Sequence, residues 1–144
     1  MNYSPIPVAA SASPAKALHI GLWVTQALLA LTFVGGGLWK LLTPLAGLAQ
    51  MIPWAGQVPA GFLYMTAWVD LCGGLGVSLP ALTGIKPRLT VLAALGCGLL
   101  QVCAIAFHLS RGEAANTPFN FLLVGLSLFV AWGRYFKAPI PARR

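Results

Sequence analysis

Four long apolar runs, separated by short polar or proline-bearing stretches, account for most of the chain: residues 18–42, 60–82, 89–109 and 117–136. Each has roughly the 20 residues that an α-helix needs to cross the hydrocarbon core of a bilayer, so each predicts a membrane-spanning helix. Residues 43–59, TPLAGLAQMIPWAGQVP, form the one long connection, and it is too apolar to be simply solvated. Its Leu45, Leu48, Ile52 and Trp54 predict a short interfacial helix, read first as a membrane anchor, with a functional lid over the outer end of the bundle as the alternative. Residues 1–17 carry three prolines and one lysine and predict a disordered tail. A cleaved signal peptide is not expected there, because the positive region is weak, the apolar run that follows is too long, and no clear cleavage site ends it. Residues 137–144 form a short basic tail. The expected fold class is all-α, a four-helix transmembrane bundle spanning residues 18–136.

Helical spacing divides each run into two faces. Thr66, Ala67, Asp70, Gly73, Gly74 and Val77 recur at intervals of three and four, as do Ala94, Cys97, Gly98, Gln101, Ala104 and His108. The first run offers Phe33, Gly36, Gly37 and Lys40, with Gln26 on the same side, and the fourth offers Asn120, Val124, Ser127 and Ala131. The remaining positions are mainly Leu, Val, Phe and Trp, suited to lipid. Small residues let helices approach closely in a membrane, so Gly36, Gly37, Gly73, Gly74 and Gly98 are the expected packing positions, and the four small or polar stripes are expected to meet at the bundle axis.

Composition supports this reading: 58% of residues are hydrophobic and 8% charged, with a mean hydropathy of +0.82. Whatever the protein does takes place in the bilayer, at its surfaces or through a partner. The charges give an orientation. Lys16, Lys86, Arg88, Arg134, Lys137, Arg143 and Arg144 fall on one side of the four runs, against Lys40 and Arg111 on the other. By the positive-inside rule the N-terminus and C-terminus are expected in the cytoplasm. The net charge of +7 then reflects topology and attraction to anionic lipid. No aromatic-interleaved basic patch suggests nucleic acid. Cys72, Cys97 and Cys103 form no C-x-x-C motif and are expected as buried small apolar residues, and no metal-ligand spacing occurs.

The polar residues that remain concentrate at the outer end. FHLSRGEAANTPFN, residues 107–120, holds His108, Arg111, Glu113, Asn116 and Asn120 between two apolar runs, and Lys40 closes the first run on the same face. Asp70 lies near mid-membrane, where a carboxylate costs about 2.5–3.5 kcal/mol and needs a partner or a proton. Side chains lean toward the N-terminus of their helix, so Lys40 on an outward-running helix and Asp70 on an inward-running one lean toward each other. Their backbones are expected about 12 Å apart along the axis at 1.5 Å per residue, which leaves direct pairing open. The same geometry aims His108 and Asn120 at one region. Lys40, Asp70, Gln101, His108, Glu113 and Asn120 are therefore the candidate pocket or proton-linked residues. Each also has a structural reading: a snorkelling lysine, a histidine on a backbone carbonyl, a solvated turn at Arg111 and Glu113.

GLWKLLTPLAGLAQMIPW (37–54), LGVSLPALTGIKPRLTVLAALG (75–96), FHLSRGE (107–113), PFN (118–120) and FVAWGR (129–134) resemble, in that order, the DoxX-like family of small bacterial membrane proteins. The resemblance covers about residues 18–136 and implies four transmembrane helices in the bacterial inner membrane. It also implies Lys40, Asp70, His108, Glu113 and Asn120 as the recurrent polar positions. The chain departs from the pattern at Asp70, where the longer glutamate is expected. The broader DoxX group is associated with thiosulfate:quinone oxidoreductase and other redox-linked complexes. The resemblance thus implies a quinone as a ligand and a membrane redox protein as a partner, and leaves open whether the chain is itself an enzyme. Two other readings stand beside it: a structural or assembly factor, and a binder or carrier of a small molecule, for which an oligomer would widen the narrow path through four helices.

Overall fold

The computed structural model describes residues 13–143. Helix α1 runs over Pro14–Leu42, α2 over Leu45–Met51, α3 over Ala60–Thr83, α4 over Arg88–Ser110 and α5 over Pro118–Trp132. A 3₁₀ turn at Pro53–Gln57 follows α2, another at Ala114–Asn116 precedes α5, and a π-helical turn at Gly133–Lys137 ends the last span. Four helical segments are long and apolar enough to cross a membrane: α1, α3, α4, and the stretch from Ala114 to Lys137 that contains α5. They pack in a ring, α1 on α3, α3 on α4, α4 on α5, and α5 back on α1.

Local chemistry sets the ends. Pro14 opens α1 and Pro118 opens α5, each at a first-turn position whose missing N–H is no loss. Residues 14–17 are consequently helical, a correction to the tail expected over 1–17; the rest of that tail, residues 1–12, lies outside the described residues. Gly84 closes α3 in the left-handed conformation, φ 71°. The C-terminal segment returns to this turn, where the Arg143 N–H donates to the Gly84 carbonyl at 3.0 Å. This places Arg143 beside the α3–α4 connection, at the end of the bundle that carries most of the lysines and arginines, the basic end.

The axis of the bundle is filled midway by Leu29, Phe33, Val77, Ala94, Cys97, Leu123 and Val130. Large apolar side chains cover the outside, with Leu31 at 72%, Leu92 at 64% and Leu99 at 65% exposed. A water-soluble monomer does not carry such a continuous apolar belt, whereas lipid is its natural solvent. Glycines set the close approaches. A Cβ added at Gly37 would lie 2.7 Å from the Ala67 carbonyl oxygen, and one at Gly74 2.8 Å from Val34, so α1 and α3 touch backbone to backbone. Gly73 fits against Cys97 Sγ, and Gly98 faces Ser127 at an ordinary contact distance. Gly36 is a correction: a Cβ there meets nothing within 4 Å, because the interface follows the Phe33 and Gly37 line and leaves Gly36 off it. Of the three cysteines only Cys97 is buried; Cys72 and Cys103 are exposed on the flank of the bundle, which corrects their expected burial.

Candidate functional site

At the end opposite the basic one, four helices and the long connection bring their polar side chains together. Lys40, in the last turn of α1, reaches Asp70 in the middle of α3, with Nζ 2.6 Å from Oδ2. The ammonium also lies 3.4 Å from Thr66 Oγ1, one turn along α3. Both charged side chains are largely buried, at 15% and 10% exposure, so the pair is a desolvated contact between two helices. Across the bundle Asn120 donates from Nδ2 to Gln101 Oε1 at 2.7 Å, tying the first turn of α5 to α4.

The turn after α4 explains the polar stretch at residues 107–120. Arg111 caps the helix, Gly112 takes a φ of 73°, and the chain doubles back so that the Glu113 N–H donates to the His108 carbonyl at 2.9 Å and the Gly112 N–H to the Leu109 carbonyl at 3.1 Å. This is a Schellman closure, which requires a residue that tolerates the left-handed region at the glycine position. Its consequence is chemical. The Glu113 carboxylate is delivered to His108, with Oε2 2.7 Å from Nδ1, while Arg111 Nε donates to Oε1 at 2.9 Å. The hydrogen bond from His108, then those and the charge of Arg111, hold the Glu113 carboxyl below its ordinary range. Arg111 also donates to Gln57 in the 3₁₀ turn and lies over the Phe107 ring, which fastens the long connection to this end.

These groups surround a cavity of about 220 Å³. Five of the six candidate residues line it, namely Lys40, Asp70, Gln101, His108 and Asn120, while Glu113 stands behind His108. With Nδ1 engaged by Glu113, Nε2 is the nitrogen His108 has left. Trp54, Phe62 and Phe107 supply aromatic walls, and Leu100, Cys103 and Ala104 of α4 complete the apolar side. Trp54 makes edge contacts with both Phe107 and His108, so the long connection is a wall of the cavity, beyond the anchoring expected of it. Its own core of Leu48, Ala55 and Leu63 holds that wall against the start of α3. Phe62 and Cys103 line the cavity and are also exposed on the flank of α3 and α4, so the cavity opens sideways between these helices, toward lipid.

One polar centre was not anticipated. Arg134, expected to serve only as a topology charge, is turned inward at the basic end and is 3% exposed. Its Nε donates to Gln26 Oε1 at 2.6 Å, Nη1 to the Ala138 carbonyl at 3.3 Å, and its guanidinium sits 4.8 Å from the Trp23 ring centroid. Gln26 in turn donates to the Val77 carbonyl at 2.8 Å, so one arginine joins the π-helical turn after α5 to α1 and α3. Among the described residues no carboxylate faces it, and Nη2 has no partner. The sequence signal was Gln26, a buried amide on the first span with nothing near it in the chain to satisfy it.

The fold and the apolar belt define a multi-pass helical membrane protein. The sequence pattern of the DoxX-like family matches residues 24–130, and the chain belongs to that family of small membrane proteins. No curated protein and no solved structure matches it.

Proposed function

We propose that the cavity receives the headgroup of a lipid-soluble amphiphile of the quinone class, and that the protein works as a redox-associated component of the bacterial inner membrane, beside a membrane redox partner protein. The observation that carries this reading is the sideways opening of a small cavity with polar groups at its inner wall and aromatic rings around it. At about 220 Å³ it is below the roughly 300–1,000 Å³ of sites that enclose a whole drug-sized ligand. A single ring fits, with the remainder of the molecule outside the cavity. Lys40 and Asp70 on one side and His108 on the other supply groups that hold or release a proton at ring oxygens, with Glu113 fixing the histidine. The excess of lysine and arginine at the basic end supports a cytoplasmic location for both termini, which puts the cavity in the outer leaflet.

A structural or assembly role is favoured by a different observation: Lys40 with Asp70, and Gln101 with Asn120, already satisfy one another. Native mass spectrometry of the protein in mild detergent, comparing wild type with Asp70→Asn, separates the two. A quinone bound to wild type and lost from the variant is expected. An empty wild type that brings down a stoichiometric protein partner would make the polar centre structural, and the same spectra report the oligomeric state.

A further inference from the structure

Leu100 is one of the residues that line the polar cavity. That residue also borders a second, apolar groove of about 250 Å³ on the same seam, formed by Val69, Cys72 and Gly73 of α3 and Ala93 and Gly96 of α4. The two spaces follow one continuous pair of helix faces. On α4 the lining steps from Phe107 through Cys103 and Leu100 to Gly96 and Ala93, and on α3 from Phe62 through Thr66 and Val69 to Gly73, each at intervals of three or four residues. From Leu100 to Ala93 the groove runs about 10 Å, at 1.5 Å per residue.

Its floor is closed. Added Cβ atoms at Gly73 and Gly76 would lie 2.7 Å from Cys97 Sγ and 2.8 Å from Ala93 Cβ, so the two helices are in contact beneath it. Its rim is open, since a Cβ at Gly96 would meet nothing within 4 Å. The lining offers no hydroxyl, amide or charged side chain, only thiols and hydrocarbon, so a polar occupant would be left unsatisfied. A slender apolar chain fits, and the border that the groove shares with the polar cavity at Leu100 points to one carried by a headgroup in that cavity.

We propose that the groove seats the apolar tail of the same amphiphile whose headgroup enters the polar cavity, an inference that rests on the headgroup reading above. Headgroup recognition at Lys40, Asp70 and His108 is then coupled to tail recognition between α3 and α4. The ligand lies along the bundle with its ring toward the polar end and its tail running toward the basic end. Ligands with a narrow, unbranched or isoprenoid first segment are accepted, and those with a bulky group next to the ring are rejected at Leu100.

The test uses the full chain in mild detergent, with a decyl-tailed benzoquinone and its methyl-capped counterpart as probes. Gly96→Leu places a side chain in the open groove without meeting another atom at its Cβ. It is expected to weaken the decyl probe about tenfold, a change of 1.4 kcal/mol, while the methyl-capped probe binds both proteins alike. Partition into the micelle favours the decyl probe equally in both proteins and cancels from the comparison. A diazirine at the middle of the decyl chain is expected to label residues 69–73 and 93–100, with labelling competed by unlabelled decyl probe and unaffected by added phospholipid. Equal affinity of the decyl probe for both proteins, or labelling that phospholipid competes away, overturns the tail site and leaves the headgroup reading standing. Binding of neither probe to wild type overturns the headgroup reading, and the tail site falls with it.

Discussion

Lys40 Nζ and Asp70 Oδ2 lie 2.6 Å apart, joining the last turn of α1 to the middle of α3 at the wall of the cavity. Two opposite charges at this depth are held by each other, and either alone is costly. Asp70→Leu, which strands the ammonium, is expected to cost about 3–5 kcal/mol. The double variant Lys40→Met, Asp70→Leu should recover most of that loss, as read from thermal melts in detergent. Additive losses would show that the two side chains do not depend on each other.

At the basic end the dependence is between Gln26 and Arg134. Gln26→Leu leaves a buried guanidinium without its best acceptor and is expected to cost about 1–3 kcal/mol or more. Arg134→Met removes the charge itself and keeps much of the packing against Trp23, so its effect should be smaller. Introduced into the Arg134→Met background, Gln26→Leu should cost less than it does alone. Equal cost in both backgrounds would mean that Gln26 acts only through the Val77 carbonyl.

Glu113 gives the acid side of the stability profile its shape. Its carboxyl is held below the ordinary value of 4.5 by His108 and Arg111. A group depressed on folding contributes stability that is fully present above its unfolded value and is lost as pH falls through its folded value. Melting temperature should therefore drop below about pH 4.5 in wild type, and the drop should be shallower in Glu113→Gln. An unchanged acid limb in the variant would place the loss elsewhere.

The two neighbouring glycines of α1 should behave differently. Gly37→Ala drives a methyl against the Ala67 carbonyl oxygen and is expected to cost about 1–3 kcal/mol through separation of α1 and α3. Gly36→Ala meets open space and should be neutral or stabilising by up to about 1 kcal/mol from helix propensity. Similar melting temperatures for the two variants would contradict the register of that interface.

By itself the sequence determined the four spans and the residue types at the polar end. Apolar runs long enough to cross a bilayer have few alternatives, because an unpaired backbone in lipid is too costly, and helical period then decides which side chains share a face. The grouping of Lys40, Asp70, Gln101, His108 and Asn120 was legible for that reason. Tertiary structure alone decided the distances and the outliers. Whether Lys40 reaches Asp70 depends on the register of two antiparallel helices, which rests on Gly37 and Gly74 admitting backbone contact, and local periodicity does not encode that register. The same register moves Gly36 off the interface. Arg134 was legible only as a charge near a helix end, since burial depends on Gln26, 108 positions away, supplying an acceptor from another helix. The grooved seam between α3 and α4 is likewise a property of the pair: small side chains on either helix look like packing until the neighbour's position shows which of them leave space.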